Sequence, residues 1–190
     1  MGPTDRDGRS VIVEHALALL DDVHPEDLSI REVARRAGLS SGAPYHHFKT
    51  RNELLAACAV VAWTNLAEVL EPDDGADPRR QLSHQAAAYL RFGRAHPGPY
   101  QLITSRLFDT DDQFDQIAAL RFAAMGAVAD VIVRATEPTV DHGAAKLRGL
   151  AMWSMLHGHL SLHASGASPE SDEAIAELAT RMAVLPAEDH

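Results

Sequence analysis

The sequence predicts an all-α protein, and three observations carry that prediction. Apolar residues recur every three to four positions through most of the 190-residue chain, the period of one face of a helix. Clusters rich in Pro, Gly and Asp punctuate those runs. No β-branched stretch alternates as a half-buried strand would. The pattern resolves into an N-terminal three-helix helix-turn-helix domain, a connecting fourth helix and a C-terminal helical bundle, about nine helices in all.

In the first helix Ile12, Ala16, Leu19, Leu20 and Val23 share a face, Ser10 is the expected cap, and His24-Pro25 breaks the run. Ser29 caps the second, with Glu32 in the capping-box position; Ile30, Val33, Ala34 and Ala37 face inward, and Gly38 ends it. The third is short, from about Ser41 to Phe48. Thr50 and Glu53 repeat the capping box and open a long fourth helix through Leu54, Leu55, Cys58, Val61, Ala62 and Leu66 to about Leu70. A turn-rich break at 71–78 precedes helices expected near 79–95, 98–108, 112–136, 141–164 and 170–184. Their boundaries are His96-Pro97-Gly98-Pro99, Asp109 to Asp112, Glu137-Pro138, and Ser165-Gly166 to Pro169. The expected domains are therefore 1–52 and 53–190.

Composition narrows the function classes. One cysteine, Cys58, allows no internal disulfide and suits a reducing compartment. The first nine residues lack the apolar core of a signal peptide, and no uninterrupted apolar run is long enough to cross a bilayer. The expectation is a cytoplasmic protein with no membrane partner. Net charge is −10, which argues at first against a nucleic-acid partner. Charge acts locally, however. Between Ser29 and Arg51 the bases are Arg31, Arg35, Arg36, Lys49 and Arg51, against the single acid Glu32. Residues 56–190 carry ten basic and eighteen acidic residues. A basic edge on an acidic body is compatible with DNA.

The stretch from Ser29 to Phe48 carries the chemistry. Two short helices crossing steeply need a small residue at the crossing, here Ala34, and a turn residue that tolerates positive φ, here Gly38. Leu39 plugs the turn into the core. With Ser41 as N-cap, Pro44 falls in the first turn, where its missing N–H costs nothing. Ser41, Gly42 and Ala43 are then small enough to approach base edges, as the N-terminal part of a recognition helix does. Tyr45, His46, His47, Lys49 and Arg51 supply hydroxyl, imidazole and cationic donors. Phe48 and Ile30 are core residues, and Arg35 and Arg36 coat the outer face of the second helix.

From Leu28 to Leu55 the sequence resembles the DNA-binding domain of the TetR/AcrR family of repressors, in Ile30, Arg31, Val33, Ala34, Ala37-Gly38-Leu39-Ser40, Tyr45, His47-Phe48, Arg51 and Glu53-Leu54-Leu55. The resemblance implies that Tyr45, His47 and Arg51 touch phosphates and that Arg31, Ser41, Gly42, Ala43 and His46 face base edges. Ser40 and Lys49 complete the expected DNA-binding set. The family usually has lysine where Arg51 stands, which keeps the charge and changes its geometry. The implied partners are double-stranded operator DNA and a small-molecule effector; no cofactor and no metal are expected. In the family the last two helices of each subunit form a homodimer interface, here 141–164 and 170–184. Ile175, Leu178, Ala179, Met182 and Leu185 supply the apolar stripe, and Gly149 and Gly158 the close approach.

Trp153, His157 and Gly158 are similar to the Trp–His–Gly signature of one C-terminal domain type in the family. Candidate effector-binding residues are Trp63, Tyr89, Phe92, Phe108, Phe122, Met125, Trp153 and His157, although large apolar side chains at this spacing are more often ordinary core. An enzyme would have to rest on His157, His159 and His163. Residues two apart on a helix point about 200° away from each other, so only His159 and His163 could share a metal. No acid lies between Lys146 and Ser168 to complete such a site, and no Gly-rich phosphate loop or nucleophile turn occurs. Elemental analysis for zinc separates that reading from a regulator. A ligand-binding dimer that has lost DNA binding is separated by duplex binding across a salt series.

Overall fold

The computed structural model describes residues 3–71, 75, 77–105, 107–108, 115–136, 140–167 and 170–186. Among these residues there are nine α-helices and no strand: α1 (Pro3–Leu20), α2 (Ile30–Arg36), α3 (Pro44–His47), α4 (Arg51–Val69), α5 (Pro78–Ala95), α6 (Pro97–Thr104), α7 (Asp115–Thr136), α8 (His142–Ala164) and α9 (Asp172–Ala183). A 3-10 turn, Pro25–Asp27, lies between α1 and α2. The all-α expectation holds.

Three starts differ from expectation, and proline explains each; α1 also ends at Leu20, before Val23, and α6 at Thr104, short of the expected 108. α1 starts at Pro3, so Ser10 is interior and caps nothing. α3 starts at Pro44, three residues later than expected. α6 begins at Pro97 and takes in Gly98 and Pro99, which the sequence marked as a break. In the first turn of a helix the N–H groups lack intrahelical partners, so proline opens a helix as readily as it stops one. The breaks expected at Asp109 to Asp112 and at Glu137-Pro138 lie outside the described residues.

The chain forms two compact units, Met1–Asn65 with His96–Ala118, and Leu66–Ala95 with Ala119–His190. In the first, Ile12, Ala16 and Leu19 of α1 are buried together with Val33 and Ala34 of α2, Phe48, Leu54 and Leu55 of α4, and Leu102 of α6. α1 packs on α2, α3 and α6. Burial pushes the Cys58 thiol up to about 12. Gly98 lies so close to the end of α1 that a Cβ there would stand 2.0 Å from the Leu20 carbonyl oxygen. Its N–H donates to Asp21 Oδ1 at 3.2 Å. Only glycine fits at that junction.

In the second unit α9 packs on both α5 and α8, around Leu82, Ala86, Leu90, Ile132, Met152, Leu156 and Ala179. Asp141 and Ser171 cap α8 and α9, accepting from Ala144 N at 2.8 Å and Ala174 N at 3.2 Å. Arg94 of α5 donates to Asp172 at 2.6 Å, and the buried His159 of α8 meets the same carboxylate at 3.0 Å. Arg94 also lies 2.5 Å from His163 Nε2; a guanidinium only donates, so that nitrogen accepts. Among the described residues no three His, Cys, Asp or Glu side chains converge as a metal site would require. Gly149 packs inside the unit, its Cβ position 3.7 Å from Ile132 and Val128, and so does not serve an external approach; the Cβ position of Gly158 is open. By length and composition α7 could cross a membrane, with a mean hydropathy of 1.6 over 18 residues. Its apolar run is interrupted by Arg121 and Asp130.

Candidate nucleic-acid interface

The interface begins with how α2 stops. Ser29, in extended conformation, caps α2, and its Oγ accepts from Glu32 N at 3.5 Å, a long contact. At the far end the Leu39 amide donates back to Ala34 O at 2.9 Å and the Gly38 amide to Arg35 O at 3.2 Å. Gly38 has φ +67°. This is a Schellman turn, which satisfies carbonyls the helix leaves over and turns the chain sharply. Leu39 is half-buried behind it. The expected roles of Gly38 and Leu39 follow directly.

Ser41 is not an N-cap. Ser40 to Ala43 form a turn closed by Ala43 N donating to Ser40 O at 3.0 Å, and α3 then begins at Pro44 without a side-chain cap. Pro44 and Phe48, one helical turn apart, are both buried and anchor α3 to the head. That anchoring decides what remains outside. Ser40, Ser41, Gly42 and His46 are exposed, Ala43 and His47 half-buried, and Tyr45 is 41% exposed. Arg31, Lys49 and Arg51 are exposed as well. The ten residues expected to meet DNA therefore all lie at or near the surface of one unit. The Cβ position of Gly42 has nothing within 4 Å.

The cations are less available than their number suggests. Glu32 accepts from Arg35 at 2.6 and 2.8 Å and from Arg36 at 3.4 Å, and Arg36 also donates to Asp22 at 2.9 Å. The hydrogen bonds from Arg35, against an opposing desolvation and with the charge of Arg35 and the hydrogen bond and charge of Arg36, hold the Glu32 carboxyl at about 2. Arg35 and Arg36 are thus spent on carboxylates, as their expected outer-face position allows. Asp22, on the turn after α1, joins the network from outside the sequence window that counted charge. Lys49 donates from Nζ to Tyr45 O at 3.2 Å. Arg51 donates through Nη1 to the Glu26 carbonyl, tying the start of α4 to the 3-10 turn. Thr50 accepts from Glu53 N at 3.1 Å, and Glu53 accepts from Lys49 N at 2.7 Å, a capping box whose return bond lands one residue early.

The expected effector-binding residues divide between the units. Trp63 and Phe108 fall in the first; Tyr89, Phe92, Phe122, Met125, Trp153 and His157 fall in the second. Trp63, Tyr89 and Phe92 are buried, and Trp153 donates from Nε1 to the Tyr89 hydroxyl at 2.5 Å. Phe108, Met125 and Trp153 are half-buried. Phe122 is 70% exposed and His157 is exposed, positions on the surface of the single chain. Two hollows described in the first unit, of about 480 Å³ beside His24 and Gln101 and about 240 Å³ beside Arg9 and His47, involve none of the eight. Arg9 and Gly8, which touch the end of α3, were missed in the sequence because α1 was expected to begin after them. Pro3 was the available signal.

The family described as "Bacterial regulatory proteins, tetR family" matches residues 12–58. The domain described as "Tetracyclin repressor-like, C-terminal domain" matches residues 82–184 and so includes Trp153, His157 and Gly158. The chain is 28% identical over 165 residues to an uncharacterized HTH-type transcriptional regulator of Mycobacterium tuberculosis, covering 86% of this chain and 73% of that one. It is 36% identical over 83 residues to the tetracycline repressor protein class C of Escherichia coli, covering 44% of this chain and 38% of that one. The crystal structure of PfmR, a TetR family transcriptional regulator from Thermus thermophilus, has the same fold, with a TM-score of 0.66 at 24% identity over 91% of this chain and 96% of that one.

Proposed function

The chain belongs to the tetR family of bacterial regulatory proteins, and from that premise we propose that it is a cytoplasmic homodimeric repressor, not an enzyme, which leaves its operator when a small molecule binds. It is a transcriptional regulator with a helix-turn-helix DNA-binding domain. The observation that carries the reading is the exposed edge of Ser40, Ser41, Gly42, Tyr45 and His46 over the buried anchors Pro44 and Phe48. Small residues there leave room for base edges, while Tyr45, His47 and Arg51 donate to phosphates and Arg31 reaches the bases. Arg51 has four N–H groups beyond the one given to Glu26, so its tie to the backbone orients it without consuming it.

Homodimerisation is supported by the second unit, where Leu147, Leu150 and Leu162 of α8 and Leu178 and Met182 of α9 stand 40–68% exposed. Apolar area of that kind in a single chain is what a second copy covers. For the effector, the candidate residues retained in that unit are Tyr89, Phe92, Met125 and Trp153, with the Trp153–Tyr89 bond fixing two of the rings. A ligand there weakens DNA binding only through a difference in its affinity for the two states, typically worth about 1–3 kcal/mol.

Binding of the purified protein to its own promoter region, followed by fluorescence anisotropy from low to moderate salt, tests the reading. The log–log slope should be steep, about 0.9 per phosphate neutralised. Tyr45→Phe and Arg51→Ala should weaken operator and unrelated duplex alike, and changes at Ser41 or Ala43 should shift sequence preference. A salt-independent affinity would remove the phosphate contacts and the function with them.

A further inference from the structure

We propose that Arg9, outside the helix-turn-helix, binds the DNA backbone and shares one phosphate-directed edge with His47. The inference rests on the reading of this chain as DNA-binding and adds a residue to it. Arg9 is well inside α1, which starts at Pro3. The neighbouring Gly8 is packed so tightly on the end of α3 that a Cβ there would stand 3.0 Å from His47 Nε2. This close seat brings α1 against the imidazole and sets the next side chain beside it. The Arg9 guanidinium carbon lies 5.0 Å from the centroid of the Phe48 ring. That ring is only 1% exposed, a fixed platform, whereas Arg9 itself is exposed.

Two other cations of the head make the contrast. Arg35 and Arg36 are held by Glu32 and Asp22, whereas Arg51 gives one N–H to the Glu26 carbonyl. Glu53 borders the same hollow as Arg9 and His47, but its carboxylate accepts from the Lys49 amide at 2.7 Å. Among the described residues Arg9 has no carboxylate partner. A permanently charged fork lying on an aromatic face, one residue from the glycine that touches a phosphate-directed imidazole, has the chemistry to take a phosphodiester oxygen in two hydrogen bonds. Such a contact fixes the pose of the head on the duplex and carries no sequence information.

The test compares Arg9→Gln and Arg9→Lys with the wild type, each against operator and an unrelated duplex across a salt series, with thermal unfolding of each protein alongside. Arg9→Gln should make the slope shallower by about 1.8 for a dimer, one phosphate in each subunit. It should weaken both duplexes by the same factor, while Arg9→Lys keeps most of the slope. An unchanged slope with Arg9→Gln overturns the proposal, as does weakening confined to operator, which would make Arg9 a base reader. Equal slope losses in Gln and Lys variants would also overturn it, since they trace the effect to packing on Phe48. A wild type without salt dependence would end the DNA reading itself, a result distinct from steep wild-type binding that Arg9→Gln leaves untouched.

Discussion

At the residue scale, Glu32 governs how much positive charge the head presents. Five bases against one acid suggest a strong patch, yet the one acid sits where it reaches two of the bases, three and four residues along α2. Glu32→Gln should release Arg35 and both raise affinity for any duplex and steepen its salt slope; an unchanged slope would place Arg35 and Arg36 beyond the reach of DNA. The pH dependence has a definite sign. Glu32 is held at about 2 in the folded chain against an ordinary value of 4.5. Whatever the network contributes is therefore complete above 4.5 and lost as pH falls through about 2. No gain in DNA affinity from Glu32 protonation is expected between pH 5 and 8, which binding measured across that range would check. The exposure of the residues proposed to face DNA was legible in the sequence because it follows from a short local pattern. Asp22 was not, because its partner Arg36 lies fourteen residues away and only the packing of α1 on α2 brings them together.

At the element scale, two junctions hold helices that the sequence could place but not join. Gly98 sits where α6 meets the end of α1. Gly98→Ala forces backbone apart and should cost about 1–3 kcal/mol or more, lowering the denaturation midpoint without changing the helix content of the folded protein. A midpoint equal to wild type would mean that the junction yields freely. The second junction is Asp172, where Arg94 of α5 and His159 of α8 meet the start of α9. Burial pushes the Asp172 carboxyl up, but the hydrogen bonds from Arg94 and His159 outweigh it and leave the carboxyl below the ordinary 3.8. Its stabilisation is thus present above 3.8 and disappears as pH falls through the lowered value. Asp172→Ala removes the carboxylate that Arg94 and His159, the latter 4% exposed at its side chain, both meet. The loss should be about 1–3 kcal/mol at neutral pH and should shrink on acidification below the aspartate range. Denaturant titrations at pH 7 and pH 3 compare the two directly. Helix existence was readable from apolar spacing; the starts at Pro3, Pro44 and Pro97 were not, since proline marks beginnings and ends alike and only the packed chain tells which.

At the scale of the whole molecule, the proposed function requires two heads at a set spacing, and the single chain supplies one. The sequence named the last two helices, and the exposed side chains refine which face of them is at stake. Ala179 of the expected stripe is fully buried within its own chain, whereas Leu178, Met182 and Leu185 are 40–55% exposed, and Leu147 of α8 is 68% exposed. The pocket was the least legible feature, because large apolar side chains read alike whether they fill a core, wall a cavity or cover a neighbour. A pair of charges on the exposed face separates the last of these from the others. Leu147→Glu with Met182→Glu touches only side chains that are half or more exposed, so each chain should keep its helix content and its own cooperative unfolding. Two like-charged faces should no longer associate, and sedimentation equilibrium should report a monomer. Operator affinity should then fall by roughly 10²–10⁴, the advantage of engaging two half-sites through one linked pair, while the weaker contact of a single head persists. A double variant that stays dimeric and keeps full operator affinity would move the interface off α8 and α9, and with it the face by which one subunit sets the position of the other.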